Sequence, residues 1–222
     1  MQKQVFENAV LYLGDCVDIL PSVVADYDIG ALIADPPYVI GASGAGIGKG
    51  RKYLQDIKGH LDGGFDLSLL AGFDNWLVFC AKAQLVELIG QAKSQGLNWM
   101  LLTWNKRNPT PLVNNNYLPD TEYMVHAFRK HIWESKTRFV VGNVEKNLFD
   151  HPTVKPLYVM NKAVMSASAK GDWVLDPFMG TGSTGVAALQ LGRRFIGIER
   201  EIKYFDIACE RIENAVSQGV LF

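Results

Sequence analysis

Three short stretches hold the residue types that could do chemistry. The first, A-L-I-A-D-P-P-Y at residues 31–38, is an apolar run that ends in a carboxylate, two prolines and a tyrosine. Proline cannot donate to a sheet ladder, and the residue before a proline is pushed toward extended geometry. Asp35 and Pro36 both precede a proline, so the chain should leave a strand stretched out, with an acid and backbone carbonyls at its end. That is a rigid array of hydrogen-bond acceptors with an aromatic ring, Tyr38, beside it. The second stretch, W-V-L-D-P-F-M-G-T-G-S-T-G at 173–185, runs from a strand into Asp176, a Gly-rich turn and a helix beginning near Ser183. Its glycines permit a tight turn and close ligand approach, and the helix start offers free N–H groups and a positive dipole end. The third, R-R-F-I-G-I-E, ends in Glu199, 23 residues after Asp176, where a carboxylate commonly grips ribose hydroxyls.

The turn narrows the choice of ligand. A phosphate-binding nucleotidase loop needs a lysine after its last glycine, and none follows Gly182 or Gly185. A dinucleotide fingerprint needs G-x-G-x-x-G directly after the strand, whereas Asp-Pro-Phe intervenes here and Thr181, Ser183 and Thr184 crowd the turn with polar groups. A nucleoside with an amino-acid tail, such as S-adenosylmethionine, suits a strand-end acid with little fixed positive charge. Taken alone, the turn is also compatible with plain strand-to-helix punctuation. His151-Pro152-Thr153 alone reads as a helix N-cap with proline at the first turn.

These residues need elements to position them. Strand-like runs fall at Val10–Leu13, Ile29–Ala34, Trp76–Cys80, Trp99–Thr103, Tyr123–Phe128, Trp173–Leu175 and Phe195–Ile198, with helical patterns at 81–95, 155–169, 183–191 and 201–217. The alternation predicts an α/β fold with helices on both faces of a sheet. The last helix carries one apolar stripe, Ile202, Phe205, Cys209, Ile212 and Val216. Residues 39–66, Gly-rich and polar, and 105–120, with three prolines and five asparagines, read as loops inserted in a single domain spanning 1–222.

Composition narrows the setting. The 48% hydrophobic and 20% charged residues are the proportions of a soluble globular protein. No apolar run approaches the roughly 18 residues that span a bilayer, and the N-terminus lacks a signal-peptide core. Three scattered cysteines argue against a disulfide framework or a zinc site and fit a reducing cytoplasm. The net charge of −1 says nothing for nucleic acid, but residues 49–58 and 129–138 each carry four positive charges and one negative. Read blandly, these are two solvated loops; basic segments interleaved with aromatics are also what a phosphate backbone attracts.

Together the motifs resemble the amino-methyltransferases of DNA. The resemblance rests on Asp35-Pro36-Pro37-Tyr38, His151-Pro152-Thr153-Val154-Lys155-Pro156, Asp176-Pro177-Phe178-Met179-Gly180-Thr181-Gly182-Ser183-Thr184 and Ile196-Gly197-Ile198-Glu199. It extends to Leu13-Gly14-Asp15-Cys16 and to Ala208-Cys209-Glu210-Arg211-Ile212, so nearly the whole chain is covered. The order, catalytic tetrapeptide first and cofactor motif last, is similar to the permuted beta group. The resemblance implies a Rossmann-like S-adenosylmethionine-dependent methyltransferase fold, a mostly parallel sheet with circularly permuted motif order. It implies Asp35, Pro36, Pro37 and Tyr38 as the catalytic set. For the cofactor it implies Asp15, His151, Thr153 and Lys155, with the turn residues Asp176, Pro177, Phe178, Gly180, Gly182, Ser183 and Thr184, and Glu199. An Asp rather than a Ser at position 35 favours adenine N6 over cytosine N4.

The expected partner is double-stranded DNA, with homodimerisation open and neither membrane nor metal involved, in the cytoplasm of a prokaryote or phage-infected cell, whether within a restriction–modification system or as an orphan enzyme. Candidate DNA contacts are Lys49, Arg51 and Lys52, then Lys106 and Arg107, then Arg129, Lys130, Lys136 and Arg138. Only about 22 residues separate Phe128 from His151, where the family usually carries a sizeable target-recognition region. Recognition is therefore compact, built from 129–150 with the two loops, or relaxed, or dependent on a second subunit. Chemically, the exocyclic amine of adenine is a poor nucleophile, and Asp35 with the Pro36 carbonyl can take its two hydrogens. Tyr38 would stack on the flipped base. An unperturbed Asp is a weak base, so its first role is orientation. Methylation of an RNA base or a protein amide, and a non-catalytic DNA-binding subunit, are the rival readings.

Overall fold

The computed structural model describes residues 2–37, 64–111, 117–132, 134–145 and 154–217. Among the described residues, nine strands form one sheet in the order β1-β2-β9-β8-β3-β4-β6-β5-β7. In chain order they are β1 (Gln2–Phe6), β2 (Ala9–Leu13), β3 (Ile29–Ala34), β4 (Asn75–Cys80), β5 (Asn98–Lys106), β6 (Thr121–Phe128), β7 (Phe139–Gly142), β8 (Trp173–Asp176) and β9 (Arg194–Glu199). From β2 through β9, β8 and β3 to β4 the pairing is parallel. Antiparallel β6 then inserts between β4 and β5, and β1 closes the other edge antiparallel to β2.

Among the described residues, five α-helices cover the sheet: α1 (Cys16–Asp26), α2 (Leu85–Ser94), α3 (Leu157–Ala167), α4 (Ser183–Gln190) and α5 (Ile202–Ser217). The central strands are apolar at successive positions because both faces are covered. In β3, Ala31 and Ile33 join Leu11, Phe79 and Met124 beneath α3, α4 and α5. The intervening Leu32 and Ala34 join Val10, Trp76 and Ile196 beneath α1 and α2. An α/β sheet with helices on both faces is the expected architecture.

The sequence reading misses β1, β7 and α1. β1 is polar and exposed along most of its length and takes its place by register against β2, Gln2 opposite Leu13 through Phe6 opposite Ala9. β7 is a four-residue edge strand beside β5. Helix α1 contains Pro21 and several valines, poor helix formers, yet Asp15 caps it by accepting the Val17 N–H, and Ile19, Leu20 and Val23 bury against the sheet. Tertiary packing outweighs propensity there. In α5 the buried line is Phe205, Ala208, Ile212 and Ala215, so the expected Ile202 is exposed and Cys209 and Val216 are only partly covered. The loop expected at 105–120 is shorter, since β5 runs to Lys106 and β6 begins at Thr121; the one expected at 39–66 lies mostly outside the described residues.

Gly185, in the first turn of α4, lets that helix settle onto β9 and α5. A Cβ at this position would stand 2.5 Å from Phe195 Cδ1 and 2.6 Å from Ile212 Cδ1. Alanine is favoured over glycine inside a helix by about 1 kcal/mol, but overpacking a fixed core costs about 1–3 kcal/mol. Gly185→Ala is therefore expected to lower the urea unfolding midpoint; an unchanged or raised midpoint would show that the helix can move away.

Candidate active site

The parallel strands deliver their acids to one end of the sheet. β3 runs out at Ala34 into Asp35, β8 finishes at Asp176 and β9 at Glu199. β3 and β8 are neighbours, yet the chain continues from β3 toward β4 on one side and from β8 toward β9 on the other. That divergence is a topological switch point, where open α/β sheets hold ligands beyond their strand ends. β6 is antiparallel, so its first turn of chain, with Glu122, arrives at the same end.

One lysine ties two of these acids together. Lys155 directly precedes Pro156, the N-cap of α3, and its side chain is 9% exposed. Its Nζ donates to Asp35 Oδ1 at 2.8 Å and Oδ2 at 2.6 Å, and stands 3.4 Å from Glu122 Oε2. Between these carboxylates it passes over the Phe79 ring of β4, 5.2 Å from the centroid. Burial alone would push the Lys155 ammonium down, but Asp35 and Glu122 outweigh it and hold the group above the ordinary lysine value. Burial pushes the Glu122 carboxyl up, and Lys155 and Lys106 more than reverse that. Lys106 Nζ pairs with Glu122 Oε1 at 2.7 Å.

The Gly-rich turn forms the other half. Asp176, 1% exposed, accepts the Phe178 N–H at 2.9 Å and the Thr184 hydroxyl at 2.5 Å. Gly180 and Gly182 have φ of +53° and +80°, left-handed values that glycine adopts without strain. Glu199 accepts the Gly180 N–H at 3.0 Å and the Glu201 N–H at 2.8 Å, which draws the turn toward the end of β9. Arg211 of α5 braces it from behind, donating to the Thr181 carbonyl at 2.6 Å, the Thr181 hydroxyl at 2.9 Å and the Ser183 hydroxyl at 3.2 Å. Burial pushes the carboxyls of Asp176, up to about 7, and Glu199 upward. Two desolvated acids beside a turn without lysine disfavour a phosphate and fit a nucleoside whose tail is cationic. Pro177 is buried and Phe178 half-buried, its ring 5.7 Å from that of Phe65.

The structure thus brings together Asp35, Pro36, Pro37, Lys155, Asp176, Pro177, Phe178, Gly180, Gly182, Ser183, Thr184 and Glu199. Lys155 contacts the tetrapeptide acid, whereas the resemblance groups it with the cofactor. Asp15 is exposed beside the end of β2 and caps α1. Tyr38, Lys49, Arg51, Lys52, His151 and Thr153 lie outside the described residues. Lys106 and exposed Arg107 stand at the site's end of the sheet.

The basic segment beginning at Arg129 does not join them at its start. Arg129 pairs with Asp74 at 2.9 Å, just before the first residue of β4 and hence at the far end from Asp35. Lys130, Lys136 and Arg138 are exposed, but the chain between them is tied to the body of the protein. Lys162 donates to the Thr137 carbonyl and hydroxyl, and Arg193 pairs with Glu134 at 2.5 Å. A cavity of about 480 Å³ also lies at that far end, lined in part by Leu97, Trp99, Phe128 and His131, and shares no residue with the strand-end acids. Glu122 and Arg211 escape the sequence reading as functional candidates. An acid opening an otherwise apolar strand, and an arginine within the stripe of α5, are the only local signals.

Residues 128–210 match a family model described as DNA methylase. Type II methyltransferase M2.MboI of Moraxella bovis is 28% identical, covering 92% of this chain and 88% of that protein. Type II methyltransferase M.HinfI of Haemophilus influenzae is 29% identical over 94% of this chain and 69% of its own length. Among solved structures, M1.HpyAVI in complex with SAM superimposes with a TM-score of 0.69 at 25% identity, covering 91% of this chain and 98% of that one. PvuII DNA methyltransferase (cytosine-N4-specific), at 14% identity and a TM-score of 0.65 over 96% of this chain and 92% of its own, shares the fold. With the acids of its Asp-Pro-Pro and Asp-Pro-Phe motifs at the ends of neighbouring strands and its length matched almost throughout, the chain is similar in sequence and fold to the N6/N4 DNA amino-methyltransferases.

Proposed function

We propose that the protein transfers a methyl group from S-adenosylmethionine to N6 of an adenine flipped out of duplex DNA, with Asp35 as the group that orients the amine. The observation that carries this reading is the placement of Asp35 and Asp176 at the ends of neighbouring strands at the switch point. One acid then faces the acceptor and the other the donor. S-adenosylmethionine, when bound, supplies an electrophilic methyl group on a sulfonium. The chain's own residues do the rest.

Asp35 accepts one amine hydrogen and the Pro36 carbonyl the other, which turns the nitrogen lone pair toward the methyl carbon. Lys155 leaves room for this, because each carboxylate oxygen has two lone pairs and the ammonium uses one on each. Bonds from a neutral amine to a carboxylate are stronger than neutral pairs, which favours the oriented state. On the donor side, Asp176, Glu199 and the backbone of the turn hold the nucleoside, and Arg211 keeps the turn in shape. Tyr38, next in sequence, serves as the stacking surface for the base. Arg107, exposed at the same end, is placed for a phosphate contact.

Tritiated-methyl transfer to duplex DNA, followed by nucleoside digestion, is expected to yield N6-methyladenine. Asp35→Ala should lower turnover by about 10²–10⁴-fold while cofactor binding is kept. N4-methylcytosine as the product, or an active Asp35→Ala protein, would overturn the reading.

Asp176 gives a second expectation, on stability. Its carboxyl sits near 7 in the folded protein, mainly through burial, and near 3.9 in an unfolded chain. Between those values the folded state binds a proton that the unfolded state has lost, so this group's contribution to stability falls as pH rises through the window. Without cofactor, unfolding free energy should therefore fall with pH more steeply than in Asp176→Asn, by at most about 1.4 kcal/mol per pH unit. Parallel curves for the two proteins would contradict the buried, protonated acid.

A further inference from the structure

Glu122 stands in the site without a part in the reaction as derived so far. Its Oε1 is anchored by Lys106 Nζ at 2.7 Å, and that ammonium lies 5.1 Å above the Trp104 ring, which fixes the pair from behind. Its Oε2 faces the Lys155 ammonium at 3.4 Å, a longer contact than those of Asp35, whose two oxygens hold that ammonium at 2.8 and 2.6 Å. Lys155 therefore has two carboxylate seats, one close and one a short displacement away, on strands β3 and β6 with β4 between them. An ammonium has three donors, two of which Asp35 accepts.

The chemistry proposed for Asp35 gives that second seat a use. In the transfer a nitrogen–carbon bond forms and the sulfur–carbon bond breaks, with its electron pair going to sulfur. The nitrogen becomes cationic and must lose a proton, for which the Asp35 carboxylate is the hydrogen-bonded acceptor. Once protonated, Asp35 no longer balances Lys155, and a buried ammonium without a counter-charge is strongly unfavourable. We propose that Glu122 is a positioning residue for methyl transfer: it receives the Lys155 ammonium when Asp35, already holding one amine hydrogen, takes the proton. Lys106 keeps the receiving carboxylate in place, and the Phe79 ring floors the path between the seats. This inference rests on the methyltransferase reading of the site.

The test is steady-state and single-turnover kinetics on the full chain with tritiated S-adenosylmethionine and duplex DNA. Glu122→Gln keeps the volume and an acceptor oxygen but removes the charge. Turnover should fall about 10- to 100-fold, the usual loss when a supporting partner of a reacting group is removed. KM for both substrates should stay within about threefold, since the role assigned to Glu122 is exerted through Lys155 and not on either substrate. Glu122→Asp should restore part of the turnover. In a Lys155→Met background Glu122→Gln should change nothing further, because the two act through one interaction.

Loss of substrate affinity at unchanged turnover, or an equal and additive loss in the Lys155→Met background, would overturn the proposal. If Glu122→Gln does not fold, Glu122→Ala carries the test, and wild-type turnover in that variant would overturn it. The assignment of the target base fails separately: a wild-type protein that methylates cytosine N4 refutes adenine, and the Glu122 comparison is then read on cytosine. A wild-type protein that methylates no base overturns both.

Discussion

A buried ammonium is the constraint around which the site is organised. Lys155 is almost fully enclosed, and an enclosed charge persists only beside opposite charge. Asp35 and Glu122 provide it from two strands that are not neighbours, so the lysine has to cross the intervening β4 to reach both. The crossing lies over Phe79, a ring that offers its face to the cation. The arrangement locates the end of β3, the start of β6 and the start of α3 relative to one another. It therefore also sets where the acceptor array after Ala34 can point.

The donor half depends on a different kind of contact. Its turn is held by backbone N–H groups donating to acids and by an arginine donating to carbonyl and hydroxyl oxygens. Glycines let α4 and β9 approach closely enough for Glu199 to reach the turn. The two halves meet because β8 lies beside β3, although Asp35 and Asp176 are far apart in sequence. Sheet order, more than any single motif, converts two strand-end acids into one site.

Much of this was legible beforehand, and the failures have physical reasons. Strands buried on both faces announce themselves as unbroken apolar runs, which is why β3, β4 and the core of β6 fall where expected. Helix α1 hid because Pro21 and the valines argue locally against a helix, and only burial of Ile19, Leu20 and Val23 repays them. β1 and β7 hid because edge strands need neither apolar faces nor length. Among the site residues, the strand-end acids stood out because a carboxylate after an apolar run is conspicuous. Lys155 was legible as a motif member but its partner was not, since Asp35 lies 120 residues away. Glu122 had no motif to mark it and acquires meaning only from the lysine it faces. For the basic run at 129–138, composition counts charges without saying which end of the sheet they reach, and Arg129 stands at the end away from Asp35.

The most direct test of the central claim is the ionisation of Lys155 itself. Proton–nitrogen correlation spectra of lysine-labelled protein, assigned by a Lys155→Arg comparison, would follow its side-chain nitrogen through an alkaline titration. A buried ammonium shared by Asp35 and Glu122 should exchange slowly with water and keep its charge beyond the ordinary lysine value of 10.5. A Lys155 signal that loses its charge at or below that value would mean that the two carboxylates do not hold it, and the account of the site would fail.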